Sequence, residues 1–169
     1  MAPKPENAAT ELLRTVWAPE GPPSYPVDPA KIAEALGLKV FSADLQIDVS
    51  GMLVKHPARD PEIYVNGRDS KNRQRFSVAH ELGHYVKRTS EEAQTTEEGW
   101  EYIDFRNPLS ATGLDSDEVW ANRFAAALLM PANLVKEVHS QISEPATLAF
   151  RFGVSSDAMN FRLQNLGLK

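Results

Sequence analysis

Five consecutive residues, His80-Glu81-Leu82-Gly83-His84, constrain this chain more than any other feature in it. They read H-E-x-x-H and lie in a stretch, 72–88, that has no proline and in which Gly83 is the single glycine. Phe76, Ala79, Leu82 and Val86 recur at spacings of three, three and four, an apolar stripe of helical period. The spacing predicts a helix over 72–88. On it His80 and His84 stack on one face, where two imidazoles can grip one metal ion. Glu81 is turned by about 100° from His80. Its carboxylate therefore stands beside the metal rather than on it, within reach of a water held there. This is the pattern of a metalloprotease site. Two histidines four apart also arise by chance among surface or core residues; the glutamate between them and the helical context supply the chemical meaning. Gly83 costs the helix roughly 1 kcal/mol against Ala, so close approach of another backbone is expected there.

The chain has no cysteine. Its fold uses no disulfide, and any metal is held by nitrogen and oxygen. Structural zinc sites usually employ thiolate, so a site here is more naturally catalytic, with an open position. At 169 residues a single domain with a real core is expected. A net charge of −5 and a pI near 5.4 argue against nucleic-acid binding through a broad basic face. Residues 1–7 contain no apolar run, so they do not read as a signal peptide. The longest apolar run, 124–130, is too short to span a bilayer. The cytoplasm is the expected compartment, with no membrane partner.

Along the chain, 8–17 reads as a short helix with Leu12, Leu13 and Val16 inward, and 18–26, with four prolines and a glycine, as a loop. Asp28-Pro29 reads as an N-cap followed by proline at the first helical position, opening a helix over 30–36 with Gly37 as its C-cap. Strands are expected at 38–41, 50–55 and 62–66, with Ile63 and Val65 on one face. They make a small, mostly antiparallel three-stranded sheet just before the active helix, whose edge could pair with an extended peptide. The acidic stretch 89–114 reads as a solvated loop, with a lid as the sharper alternative. A strong helix follows from Asp115 to Met130, another over 132–140, and two short helices over 145–168. That last pair is spaced like a helix-turn-helix. Its positive charge is limited to Arg151, Arg162 and Lys169, so packing or partner docking is favoured over reading DNA.

Two histidines rarely suffice for catalytic zinc, so a third ligand is required. Glu118 is the choice, in the first turn of the apolar helix. Asn122, four residues later on the same face, could accept the second N–H of His80 or His84 and fix that ring's tautomer. With Asp115 as N-cap, Glu118 also fits a capping-box-like pair, and on spacing alone Asp117, Asp104 and Glu101 are rivals. Nothing singles out His56 or His139. With the site complete, Glu81 takes a proton as water attacks the peptide carbonyl and then delivers it to the leaving amine.

Three blocks carry a family resemblance. The first is Arg73-Gln74-Arg75-Phe76-Ser77-Val78-Ala79 running into the HExxH residues. The second is Glu118-Val119-Trp120-Ala121-Asn122-Arg123-Phe124-Ala125-Ala126-Ala127-Leu128-Leu129-Met130-Pro131. The third runs from Leu148-Ala149 through Gly153-Val154-Ser155 to Arg162-Leu163-Gln164-Asn165-Leu166-Gly167. With Ser50 to Val54 and Ile63 to Asn66, the chain from about residue 26 onward resembles the ImmA/IrrE family of bacterial metallopeptidases. The resemblance implies His80, His84 and Glu118 as metal ligands and Glu81 as the base, lifting Glu118 above its rivals. Trp120 departs from the pattern, standing where many members carry a second acidic residue. The resemblance implies an α+β fold with a zincin-like, gluzincin-like core. On this reading, one metallopeptidase domain fills 1–169: a flexible or helical N-terminus (1–25), the core (26–140) and a helix-turn-helix-like end (141–169). It also implies Zn²⁺, with Mn²⁺ or Fe²⁺ compatible with the same donors. The implied substrate is a helix-turn-helix repressor whose cleavage releases stress-response or mobile-element genes. The competing readings are a non-catalytic, metal-containing module that binds a repressor or other partner, and a DNA-binding regulator acting through the C-terminal pair.

Overall fold

The computed structural model describes residues 2–56, 58–92, 102–105 and 116–168. The described residues form seven α-helices and one sheet, the expected α+β class. Helix α1 (Pro5–Leu12) continues into a π-helical turn, Leu13–Trp17. It is followed by α2 (Pro29–Ala35), strands β1 (Lys39–Ala43), β2 (Gly51–Lys55) and β3 (Glu62–Asn66), and then α3 (Lys71–Glu92). Strand β4 (Tyr102–Phe105) precedes α4 (Ser116–Leu129), α5 (Ala132–Gln141), α6 (Pro145–Phe152) and α7 (Ser156–Asn165).

The local signals do what their chemistry dictates. Asp28 caps α2 by accepting from the amides of Ala30 and Lys31 at 3.1 and 3.4 Å, and Gly37 leaves the helix at φ +86°, where a side chain would be strained. Ser155 caps α7 through the Ala158 amide at 3.1 Å.

The sheet runs β1-β3-β2-β4. β2 pairs antiparallel with β3, Leu53 opposite Ile63, and with β4, Val54 opposite Ile103. β1 runs parallel to β3, Phe41 opposite Tyr64. Two of the three pairings are thus antiparallel, and β4 extends the three expected strands. β4 falls within 89–114, read from sequence as a loop. α3 also runs into that stretch, ending at Glu92; the rest of it, and the expected cap Asp115, lie outside the described residues. β4 covers one side of β2 and β3 the other, so β2 has no free edge.

Leu53, Ile63 and Val65 are buried from the sheet, against Val78, Ala79 and Leu82 of α3. The same core takes in Ile32, Phe124, Leu128 and Phe152. Polar anchors fasten α3 and the end of α4 to the segments around them. Arg75 donates to the carbonyls of Val27 (2.6 Å) and Gly153 (3.0 Å), and Asn72 to that of Val154 (3.1 Å). Buried Arg162 of α7 donates to the Met130 carbonyl at the end of α4 (2.9 Å). Among the described residues, no helix is long and apolar enough to cross a membrane.

Candidate metal centre

α3 and α4 lie side by side and antiparallel: His84 meets Glu118 in the first turn of α4, and His80 meets Asn122 one turn further along. What lets the helices come so close is Gly83. A Cβ there would stand 3.0 Å from Cδ1 of Phe124 and 3.3 Å from the Cα of Ala121. The glycine expected to admit another backbone does so, and the backbone is α4.

The contact brings three side chains from two helices to a point. Nε2 of His84 lies 3.0 Å from Nε2 of His80 and 3.0 Å from Oε1 of Glu118, and Nε2 of His80 is 3.4 Å from Oε2 of Glu118. Four ligands arranged tetrahedrally at about 2.0–2.1 Å from an ion stand about 3.3 Å from one another. The observed spacings are close to that, and the three residues could hold a metal ion. All three are buried, Glu118 showing most at 7% exposure. Burial pushes the Glu118 carboxyl up, but the His80 and His84 rings against it outweigh burial and hold the group well below the usual carboxylate range. Glu118 is therefore a carboxylate, the form that ligates.

Asn122 Oδ1 sits 3.0 Å from Nδ1 of His80. The amide oxygen can only accept, so Nδ1 carries the proton and Nε2 turns its lone pair to the centre. That is the tautomer a metal ligand needs.

Glu81 is fully buried beside the three donors and is not one of them. It faces the start of β2. A Cβ on Gly51 would lie 3.0 Å from Glu81 Oε1, 3.3 Å from its Cγ and 3.3 Å from Cβ of Ser77. The strand can lie on this carboxyl because residue 51 has no side chain. Sequence reasoning assigned Gly51 no role, although a glycine inside a strand is a general signal of close approach.

Asp117 pairs with Lys87 and lies 3.9 Å from Arg88, outside the cluster. Asp104 belongs to β4, across from Leu53, and Glu101 lies outside the described residues. His56 and His139 are not part of the cluster.

A family model, the IrrE N-terminal-like domain of the M78 peptidases, matches residues 33–164 and so takes in every donor described above. Among solved structures the chain is similar to a Mycobacterium tuberculosis transcriptional regulator, with a TM-score of 0.63 and 19% identity over 94% of this chain. The chain spans about half of that protein, 47% of its length, and at this identity the likeness is one of fold. No curated protein matches the chain. The match over 33–164 spans both helices that meet at the three donors, and the chain belongs to the IrrE N-terminal-like domain family of M78 peptidases.

Proposed function

We propose that the chain is a metal-dependent endopeptidase, with zinc as the first candidate ion and manganese or iron compatible with the same nitrogen and oxygen donors. His80, His84 and Glu118 hold the ion, and Glu81 is the general acid–base. The observation that carries this reading is the pairing of a three-donor cluster with a buried carboxyl that is not a donor. A structural site needs ligands alone; the added carboxyl is what hydrolysis requires, and it weighs against a non-catalytic metal module.

A bound divalent ion supplies the Lewis acidity that makes water a nucleophile near neutral pH. The chain's residues do the rest. Glu81 accepts the proton of the attacking water and later gives it to the leaving amine. Asn122 holds His80 in the ligating tautomer. Gly51 brings β2 against Glu81 and limits where its carboxylate can go. Among the described residues β4 is the outer strand beside β2, and its outer side is a place for an extended substrate to add as a strand.

The proposed substrate is a helix-turn-helix repressor, cut so as to release stress-response or mobile-element genes, in a cytoplasmic setting. Family membership supports it, and the similar solved structure is itself a transcriptional regulator. Where a helix-turn-helix repressor is encoded beside this chain, the test incubates it with native protein and with Glu81→Gln, each with and without chelator. Native protein should cut it, and chelator should stop the cut. Glu81→Gln should bind the metal fully and not cut, whereas His80→Ala should lose the metal. Undiminished cleavage by Glu81→Gln would sink the assignment.

A further inference from the structure

Beyond the metal centre the seam between α3 and α4 opens into a groove of about 630 Å³, within the range of roughly 300–1,000 Å³ typical of ligand sites. Its place follows from the antiparallel helices. His84 meets Glu118 and His80 meets Asn122. Four residues before His80 is Phe76, and four after Asn122 is Ala126; both line the groove. Arg73 and Met130 line it a further turn along, and α7 closes the far side with Ala158 and Phe161. Each four-residue step is about 6 Å. The groove therefore begins one turn from a metal-binding histidine and continues for another, about the reach of two or three residues of extended chain.

Its lining mixes apolar side chains with polar ones, Asp157 and Asn165 among them, and its two arginines already donate elsewhere. Arg73 Nε already donates to Ser50 Oγ at 2.9 Å and to Asp69 at 3.2 Å, and Arg162 Nε to the Met130 carbonyl. Phe161 is 67% exposed at the groove, a large aromatic with solvent on it and no role in the core.

We propose that this groove is a specificity subsite: it receives an aromatic or long aliphatic side chain of the substrate polypeptide, within about three residues of the cleaved bond. The inference rests on the peptidase reading, because the groove's nearness to the metal centre, one helical turn from His80, is what ties it to a substrate.

The test reads binding apart from cleavage. Zinc-loaded Glu81→Gln protein is used to select from a random octapeptide library. Bound peptides should be enriched at one position in Phe, Tyr, Leu and Met. The enrichment should fall about tenfold or more, the usual scale for a misfitted apolar pocket, when Ala158→Phe fills the groove, and likewise with Phe161→Ser. Both substitutions lie on α7, away from the donors, and Phe161→Ser carries the test alone if the larger side chain impairs folding. Cleavage profiling of the same library with otherwise native enzyme should show the same preference at one subsite, with KM rather than kcat moving in the α7 variants. No enrichment, or enrichment unchanged by both substitutions, overturns the subsite. A dimer that Phe161→Ser converts to a monomer would assign the groove to a second copy of the chain and also overturn it. If native protein cuts nothing while the selection still enriches apolar residues, the peptidase reading fails and the groove stands as a peptide-binding site.

Discussion

Gly51 and Glu81 make a pair in which the missing side chain of one sets the position of the other. A methyl at residue 51 would press on Glu81 Oε1 and Cγ and on Ser77 Cβ together, and a fully buried Glu81 has little room to retreat. Gly51→Ala should therefore displace the proposed proton carrier and spare the metal. General acid–base catalysis is worth about 10²–10⁴-fold. A partly misplaced carboxylate should cost about 10–100-fold in kcat, with zinc content unchanged by atomic absorption. Full activity in this variant would mean that Glu81 does not depend on the strand. The proposed role of Asn122 bears on the metal instead. Removing the acceptor that fixes the His80 tautomer typically costs 10–100-fold in metal affinity. Asn122→Ala should show that loss in competition with a chromogenic chelator, while Asn122→Asp, which keeps an acceptor oxygen, should lose less. Among these residues the histidines, Glu81 and Asn122 were legible because helical spacing alone puts them on known faces. Gly51 was not, since its neighbour Glu81 comes from another element and only folding brings the two together.

At the scale of elements the decisive contact is α3 on α4. Gly83→Ala gains up to about 1 kcal/mol of helix propensity, but its methyl would meet the Phe124 ring and the backbone of Ala121. Over-packing of this kind costs about 1–3 kcal/mol, and backbone cannot turn away as a side chain can. Denaturant unfolding should show net destabilisation of about 1 kcal/mol, together with weaker metal binding as the helices part. A stabilised variant with native metal affinity would show that the seam has slack. The Lys87–Asp117 ion pair fastens the same seam beside Glu118. The hydrogen bond from Lys87 holds the Asp117 carboxyl below its ordinary value of 3.8. Its contribution is complete above that value and is lost as pH falls through the lower folded one. Lys87→Met should flatten that acid limb in the metal-free protein, as read by urea midpoints across pH. Most elements could be read from caps and periodicity: Asp28 and Gly37 bound α2, and 62–66 is β3. β4 was not read, because Tyr102–Phe105 is four residues long in an acidic stretch and owes its pairing to β2, distant in sequence. Nor does local pattern reveal that β1 runs parallel to β3.

At the scale of the whole molecule, the metal would act as a clasp between parts of the chain that meet only in the fold. Two donors come from α3 and the third from α4, and both helices contribute to the one core, through Leu82 on one side and Phe124 and Leu128 on the other. This is why the histidines could be paired by spacing while the carboxylate stayed one of several until a family resemblance ranked it. It also ties metal binding to global stability. An unfolded chain cannot hold three donors in place, so the ion binds the native state and stabilises it by mass action, about 2.7 kcal/mol at a hundredfold excess over Kd. For a chain of this length each kcal/mol moves Tm by roughly 2–4 °C. Adding zinc to stripped protein at that excess should thus raise Tm by about 5–10 °C in calorimetry. Glu81→Gln, which keeps all three donors, should show the full shift. His80→Ala and Glu118→Ala should show little of it. If Glu118→Ala kept the native shift, the carboxylate of α4 would not be a ligand, and the ion would be held by α3 without clasping the two helices.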